Sequence, residues 1–274
     1  MRSLAANSAS VSGSPAAVSA GSAARRATNR FDGAGPDEET WHAHEGGQFI
    51  LVETGTSHLR TEIGSWIIPA RRVAWVPPGV SHVSRSSGGG SGWVVIAPPG
   101  LNQLFAGVCV LRASTLMMAS LQRLTQLTSA DAAMRRLLWK VMAVEMSAAR
   151  PERLEVPMPT APRLLKAAQG VLRNPTAAAS LGRLALRAGM SRRSCARHFR
   201  RQTGLSFARW KRAVIAQHAL ELVAAGQKVS SVALDVGYGS VSAFIAMFRR
   251  QYGESPRRFL IENAARYEAG PAPR

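Results

Sequence analysis

The chain has 274 residues, with 35 Lys+Arg against 16 Asp+Glu, a formal net charge of +19, and 46% hydrophobic residues. That length suggests two domains, and the apolar content is ample for folded cores. No run approaches the ~18 apolar residues of a membrane span, the N-terminus lacks the apolar stretch of a signal peptide, and Cys109 and Cys195 are too few for a disulfide framework or a Cys-rich zinc module. The chain reads as soluble and cytoplasmic, with no membrane partner.

The positive charge is unevenly placed. Residues 1–160 hold 15 basic and 11 acidic side chains, a net of +4, whereas residues 161–274 hold 20 and 5, a net of +15. A basic domain joined to a nearly neutral one points to a polyanion, nucleic acid first. A merely solvated cationic surface, or general Arg enrichment, is the plainer alternative, because only four of the 35 are Lys.

Residues 1–30 are dominated by Ala, Ser and Gly, and a disordered tail is expected over 1–38. Over 39–112 the pattern changes to short apolar or alternating runs. Gln48–Glu53, Ser57–Glu62, Ser65–Ile68, Arg72–Val76, Ser81–Arg85, Trp93–Ala97 and Val108–Leu111 suit strands, separated by Gly and Pro turns. Closely spaced short strands predict a small β-barrel or jelly roll, with Trp66, Trp75 and Trp93 in its core. Two helices are predicted over 113–150. Ser114 caps one with the stripe Met117, Leu121, Leu124; Ser129 or Asp131 caps another with Met134, Leu137, Leu138, Val141 and Met142. Those stripes suit core or the face of a homodimer. Residues 151–160, with Pro151, Pro157 and Pro159, read as an interdomain linker, and 265–274 as a flexible tail.

Residues 161–264 read as helices containing an internal repeat. Arg200-Arg201-Gln202-Thr203-Gly204-Leu205-Ser206-Phe207 is echoed by Arg249-Arg250-Gln251-Tyr252-Gly253-Glu254-Ser255-Pro256, 49 positions later. Ala185 and Gly189 correspond to Ala233 and Gly237, 48 positions later, and Ser191 and Ser240 follow them. The small Ala lets two helices approach, the Gly supplies positive φ to end the first, and the Ser caps the second. This is the pattern of a helix-turn-helix, whose second helix enters a DNA major groove. Helical geometry turns Cys195, His198, Phe199 and Gln202 inward on the first such helix, as packed core residues. Arg193, Arg197 and Arg200 point outward, flanked by Arg192 and Arg201. Arg can pair bidentately with guanine or neutralise phosphate. On the second helix Phe244, Met247 and Phe248 face inward; Ser242, Ala246 and Arg249 face outward, with Ala243 and Arg250 beside them. That small outer face predicts more positioning and shape reading than base reading. Between the two, Ser206 opens a helix with Phe207, Trp210, Val214 and Leu222, a stiff spacer.

Val236-Gly237-Tyr238-Gly239-Ser240, Phe244, Phe248 and Gly253-Glu254-Ser255-Pro256-Arg257-Arg258-Phe259 resemble the AraC/XylS family of bacterial transcription regulators. The resemblance covers about 100 residues. It implies that Arg193, Ala196 and Arg197 touch bases from the first helix, and Ser242, Ala243 and Ala246 from the second. His42-Ala43-His44, Gln48 and Pro77-Pro78-Gly79-Val80-Ser81-His82 resemble the two motifs of this family's cupin sensor domain. Residues two apart on a strand share a face, so His42 and His44 converge and a turn can bring His82 to them. Three imidazoles suit zinc, nickel or iron, with Gln48 where Glu is usual. The alternative is a vestigial barrel with hydrogen-bonded histidines. His58 reads as isolated, either structural or exposed.

The expected fold is therefore α+β: an N-terminal cupin-like β-barrel, then an all-α DNA-binding domain with two helix-turn-helix motifs. The expected function is a sequence-specific DNA-binding transcription regulator, not an enzyme, responding to a small-molecule or metal effector. Its expected partners are double-stranded DNA, that effector, a second copy and RNA polymerase. A DNA-tethered metal enzyme using Glu45 or Glu53, and a non-specific architectural DNA binder, are the alternatives.

Overall fold

Two pairs of predicted short strands are continuous, running through Thr54-Gly55-Thr56 in one case and the Ser- and Gly-rich residues 86–92 in the other. In a computed structural model describing residues 28–32, 38–99, 105–177 and 179–264, eight strands form one antiparallel sheet. They are β1 (Thr28–Asp32), β2 (Glu38–His42), β3 (Gln48–Thr61), β4 (Gly64–Pro69), β5 (Arg72–Val76), β6 (His82–Ile96), β7 (Cys109–Arg112) and β8 (Glu155–Pro157). The 14-residue β3 and 15-residue β6 run through the whole sheet, paired from Gln48↔Ile96 to Thr61↔His82, with register shifts between Val52 and Thr56. A bulge there bends both strands and divides the sheet. Beyond it on one side lie β1, β5 and β7; on the other, β2, β4 and β8.

Among the described residues, no ladder joins β1 or β2 to β7 or β8. The sheet is folded but open, which corrects the expected closed barrel. Later segments cover both faces without closing the ring: Phe49 and Leu51 share a core with Met117 and Met142, and Ile50 and Val52 with Leu220 and Phe244.

The expected tail over 1–38 is also corrected where residues are described. Thr28–Asp32 pair with Ser91–Val95, and the Arg30 guanidinium sits 5.4 Å from the Trp93 ring. Gly92 makes this possible: a Cβ there would lie 2.0 Å from the Leu51 carbonyl oxygen and 2.6 Å from the Phe31 ring. Glu38 opens β2, and residues 1–27, 33–37 and 265–274 lie outside the described residues.

Two helices follow the sheet. Ser114 accepts from the Met117 amide at the start of α1 (Thr115–Gln126), which buries Met117, Leu121 and Leu124. A 3-10 turn at Ser129–Asp131, held by Asp131 accepting from the Thr128 amide, leads into α2 (Ala132–Ala148). Thr128 caps this turn, and Asp131, one of the two expected residues, is the N-cap of α2, though its side chain makes no cap hydrogen bond to that helix. Only part of the α2 stripe is core: Met142 is buried, Leu138 and Val141 half-buried, and Met134 and Leu137 are 45% and 57% exposed. With Phe49, Leu51, Val73, Trp75 and Leu111, the inward residues of α1 and α2 form one core.

The expected linker is structured. Residues Glu155–Pro157 pair with Gly64–Trp66 of β4, and Leu154, Val156 and Met158 are buried. Burial of alternate apolar residues outweighs the Pro residues that flank them, because Pro157 sits at the strand's end.

The rest is helical: α3 (Pro162–Arg173), α4 (Leu181–Ala188), α5 (Arg192–Thr203), α6 (Phe207–Ala224), α7 (Val229–Asp235), α8 (Val241–Tyr252) and α9 (Pro256–Ala264). Val156 and Met158 enter a core with Leu164, Leu184, Cys195, Phe199 and Trp210. Leu59, Trp66, Ile67 and Ile68 of the sheet share another with Leu220, Phe244, Phe248 and Phe259. The sheet and the second half of the helical region are one packed unit.

Candidate nucleic-acid interface and histidine cluster

Each copy of the repeat builds the same pair of helices. In α4–α5, Ala185 is 1% exposed, Gly189 ends α4 at φ 66°, and the Ser191 hydroxyl accepts from the Ser194 amide at 3.2 Å. In α7–α8, Ala233 is buried, Gly237 has φ 83°, and Ser240 accepts from the Ala243 amide at 3.2 Å. Left-handed Gly204 and Gly253 end α5 and α8. The residues that set this geometry all lie within a few positions of one another.

On α5, Cys195, Phe199 and Thr203 are buried and His198 is half-buried. The half-buried Gln202 points its Oε1 at the Thr160 and Ala161 amides, each donating at 3.0 Å. Arg192, Arg193, Arg197, Arg200 and Arg201 are all exposed, and Ala196 is half-buried beneath them. Among the described residues none of these arginines forms an ion pair. On α8, Phe244 and Phe248 are fully buried and Met247 half-buried, while Ser242, Ala243, Ala246, Arg249 and Arg250 are exposed.

One feature escapes helical-wheel reasoning: a cleft of about 540 Å³ between α4, α5 and the start of α6. Ser180, Ala196, Arg200, Ser206 and Lys211 line it, and Lys211 Nζ donates to the Ala179 carbonyl at 3.1 Å. Its walls come from three helices, so no single periodicity marks it.

The histidines are brought together by the sheet. His42, ending β2, pairs directly with His82, starting β6, and His44 follows two residues on. Ring centroids are 4.4 Å apart for His42–His82, 4.9 Å for His42–His44 and 5.5 Å for His44–His82. One nitrogen from each ring lies within 4.8 Å of the others. His42 Nδ1 donates to the Thr40 carbonyl at 2.9 Å, and His82 Nδ1 to the Val80 carbonyl at 2.8 Å. A carbonyl only accepts, so these bonds place the proton on Nδ1 and the lone pair on Nε2. The Gly79 amide donating to the His44 carbonyl at 2.9 Å ties the turn before His82 to this loop. Gln48 is buried at the start of β3, between Val76 and Ile96, and its Oε1 has no hydrogen-bond partner among the described residues.

The other singled-out residues fall elsewhere. Glu53 accepts from Trp93 Nε1 at 3.1 Å and Gln122 Nε2 at 2.8 Å, and Glu45 is exposed. His58 is not isolated: its Nε2 lies 3.4 Å from Glu221 of α6. Burial raises the thiols of Cys195 and of Cys109, the latter to about 12, which keeps both protonated and unreactive at neutral pH. Among the described residues no helix is long and apolar enough to cross a membrane.

Residues 184–261 match a family model described as a helix-turn-helix domain. The chain is 29% identical over 247 residues to the HTH-type transcriptional regulator NimR of Escherichia coli, covering 88% of this chain and 90% of that protein. It is 35% identical over 124 residues to the HTH-type transcriptional regulator RipA of Corynebacterium glutamicum, covering 45% of this chain and 38% of that one. Among solved structures, ToxT from Vibrio cholerae aligns over 85% of this chain and 97% of its own, at 13% identity and a TM-score of 0.37.

Proposed function

We propose that this helix-turn-helix transcription regulator of the AraC/XylS type reads bases chiefly through α5, and that its sheet region senses an effector. The domain match over 184–261 and the nearly full-length relation to a curated transcriptional regulator carry the regulator assignment, and neither relative is named as an enzyme. In this reading α4–α5 and α7–α8 are the two helix-turn-helix motifs, within a DNA-binding domain over 161–264. Residues 39–112 form the sensor, and 113–150 a helical segment for dimerisation, which the exposure of Met134 and Leu137 supports.

The observation that carries the DNA reading is one face of one helix. Among the described residues Arg193, Arg197 and Arg200 have no carboxylate partner, and they are exposed on a helix whose opposite side is locked by buried Cys195 and Phe199. Each guanidinium presents a planar fork that fits guanine O6 and N7. Arg192, Arg201, Arg249 and Arg250 neutralise phosphate, while Ser242, Ala243 and Ala246 allow close approach and shape reading. Gel-shift assays on the regions upstream of its own and neighbouring genes test this. Tight binding to one region over random duplex is expected; equal binding to all of them makes the protein an architectural binder.

His42, His44 and His82 fit a divalent metal as the effector. Backbone carbonyls fix the ring orientations of His42 and His82 and place the lone pair of each on Nε2, the arrangement of metal-binding imidazoles. Zinc, nickel or iron suits such donors, and Gln48 would supply a weaker fourth one. His42, His44 and His82 would hold such a cation, which would supply a positive charge at this end of the sheet. The chain's part is to hold those rings, through the β2–β6 pairing and the Gly79–His44 bond. Metal analysis of the purified protein, with His44→Ala alongside, tests it. An equal metal content in both would exclude these ligands.

A further inference from the structure

We infer that Glu254 is the latch by which the sheet region orients α8, the second of the two DNA-contacting helices; this rests on the DNA-binding reading above. Arg72 on β5 and Arg112 on β7 stand directly opposite each other in their ladder. Like charges so placed repel unless carboxylates come between them. Two do, from distant parts of the chain. Glu152 accepts from Arg72 Nε at 2.9 Å and from Arg112 Nε at 3.0 Å. Glu254, in the turn between α8 and α9, accepts from Nη2 of both arginines at 3.4 Å. The Arg72 guanidinium also sits 5.5 Å from the Phe259 ring of α9. Arg258 approaches Glu254 only at 3.9 Å and is largely exposed, so it contributes little.

The charge balance makes this contact more than a surface ion pair. Arg72 is 3% exposed and Glu254 9%. Were α8 and α9 to leave the sheet, two adjacent guanidiniums would share Glu152 as the remaining carboxylate of the cluster. A partly buried cation left short of an anion is costly, so the docked arrangement is favoured and the cluster opens reluctantly.

The internal repeat shows that the latch belongs to one copy. The position equivalent to Glu254 is Leu205, 49 residues earlier, in the otherwise matching Gly-x-Ser turn. Leu205 packs on the core around Phe199 and Trp210 instead. The second copy carries a carboxylate where the first carries a core residue, and only the second docks on β5 and β7. Docking leaves Ser242, Ala246 and Arg249 exposed, so the docked form is open to DNA.

The same strand that carries Arg72 leads to the histidine cluster. β5 is buried at every residue and ends at Val76; the turn after it supplies the Val80 carbonyl that holds His82. Five extended residues, roughly 15 Å, separate the latch from that turn. β5, hydrogen-bonded to β3 and β7 along its length, is thus the direct path from that turn to Arg72.

The test uses the full-length protein carrying E254Q, which keeps the side-chain shape and removes the charge. Amide hydrogen exchange over residues 241–261 is expected to rise roughly tenfold while residues 181–203 stay unchanged. DNase footprinting on the bound site is expected to show protection lost over the α8 half alone, with affinity falling about three- to tenfold. R112Q, at the more exposed arm of the cluster, is expected to give a smaller rise over the same residues, and it decides the matter should E254Q not fold. Unchanged exchange over 241–261, or an equal rise over 181–203, would overturn the latch. Failure of the wild-type protein to bind any duplex selectively would overturn the DNA reading instead, and the exchange measurement would still judge the latch.

Discussion

The two helical pairs descend from one pattern and are used differently. The first carries five exposed arginines on α5, encloses its own core around Phe199 and Trp210, and meets the sheet through β8, where Trp210 Nε1 donates to the Pro157 carbonyl at 2.7 Å. The second presents Ser242, Ala243 and Ala246 on α8, and its Phe244, Phe248 and Phe259 share a core with the sheet. The lesson is a division of labour: side chains that can read DNA are concentrated where the helix pair is self-contained. The pair that shares a core with the sheet presents little more than small side chains and terminal charge on its outer face.

The largest test of that division is in the cores. Phe199 and Phe244 are both fully buried, so each change to Ala is expected to cost about 3–5 kcal/mol in chemical denaturation. Their reach should differ. Phe244→Ala loosens β4 as well as α8 in hydrogen exchange, whereas Phe199→Ala spares β4. Equal loosening of β4 would mean that the first pair is no more self-contained than the second.

Base reading comes next. Arg197→Ala is expected to cost about 1–3 kcal/mol, concentrated at one or two base pairs of the bound site. Ser242→Ala is expected to change affinity by less than about 0.5 kcal/mol. A uniform loss across sequences for Arg197→Ala would reassign it to phosphate, and a large loss for Ser242→Ala would move base reading to α8.

The sensor should favour one pair over the other. Zinc or nickel added to metal-free protein is expected to bind once per chain, and His44→Ala to weaken it at least about tenfold, a loss of about 1.4 kcal/mol. The metal should change exchange over α8–α9 more than over α4–α5. A change confined to α4–α5 would place the coupling in β8.

What could be read from the residues follows the range of the forces involved. The helix pairs were legible because Ala185, Gly189 and Ser191 act within seven positions, and the outward arginines follow from helical period alone. The convergence of His42 and His44 is equally local. β1 was not legible, since Arg30 and Phe31 gain their pairing only from Trp93 and Gly92, some sixty residues away. β8 was hidden by its prolines, although Val156 and Met158 alternate as a buried edge strand should. The shared core left one sign: α6 carries apolar residues on more than one face, with Trp210 and Val214 in one core and Ala219 and Leu220 in the other. A helix of that kind is buried on more than one side, so a spacer reading was too modest. The replacement of Leu205 by Glu254 within the repeat was the sign of the latch.

The smallest expected effect concerns the ends where the two copies still agree. The repeat equates Arg201 with Arg250, and both are exposed in the last turn of their helices, next to a left-handed Gly. There each guanidinium also complements the carbonyl end of its own helix. If the copies differ only in the faces that read bases, these two residues should act alike, as phosphate contacts. Arg201→Ala and Arg250→Ala should each weaken binding evenly across sequences and lower the slope of log affinity against log salt by about 0.9. Titrations at several salt concentrations on the bound site and on random duplex measure both slopes. A normal slope for Arg250→Ala alone would mean that the end of α8 does not reach the backbone, and the division of labour would then extend to the phosphates as well as the bases.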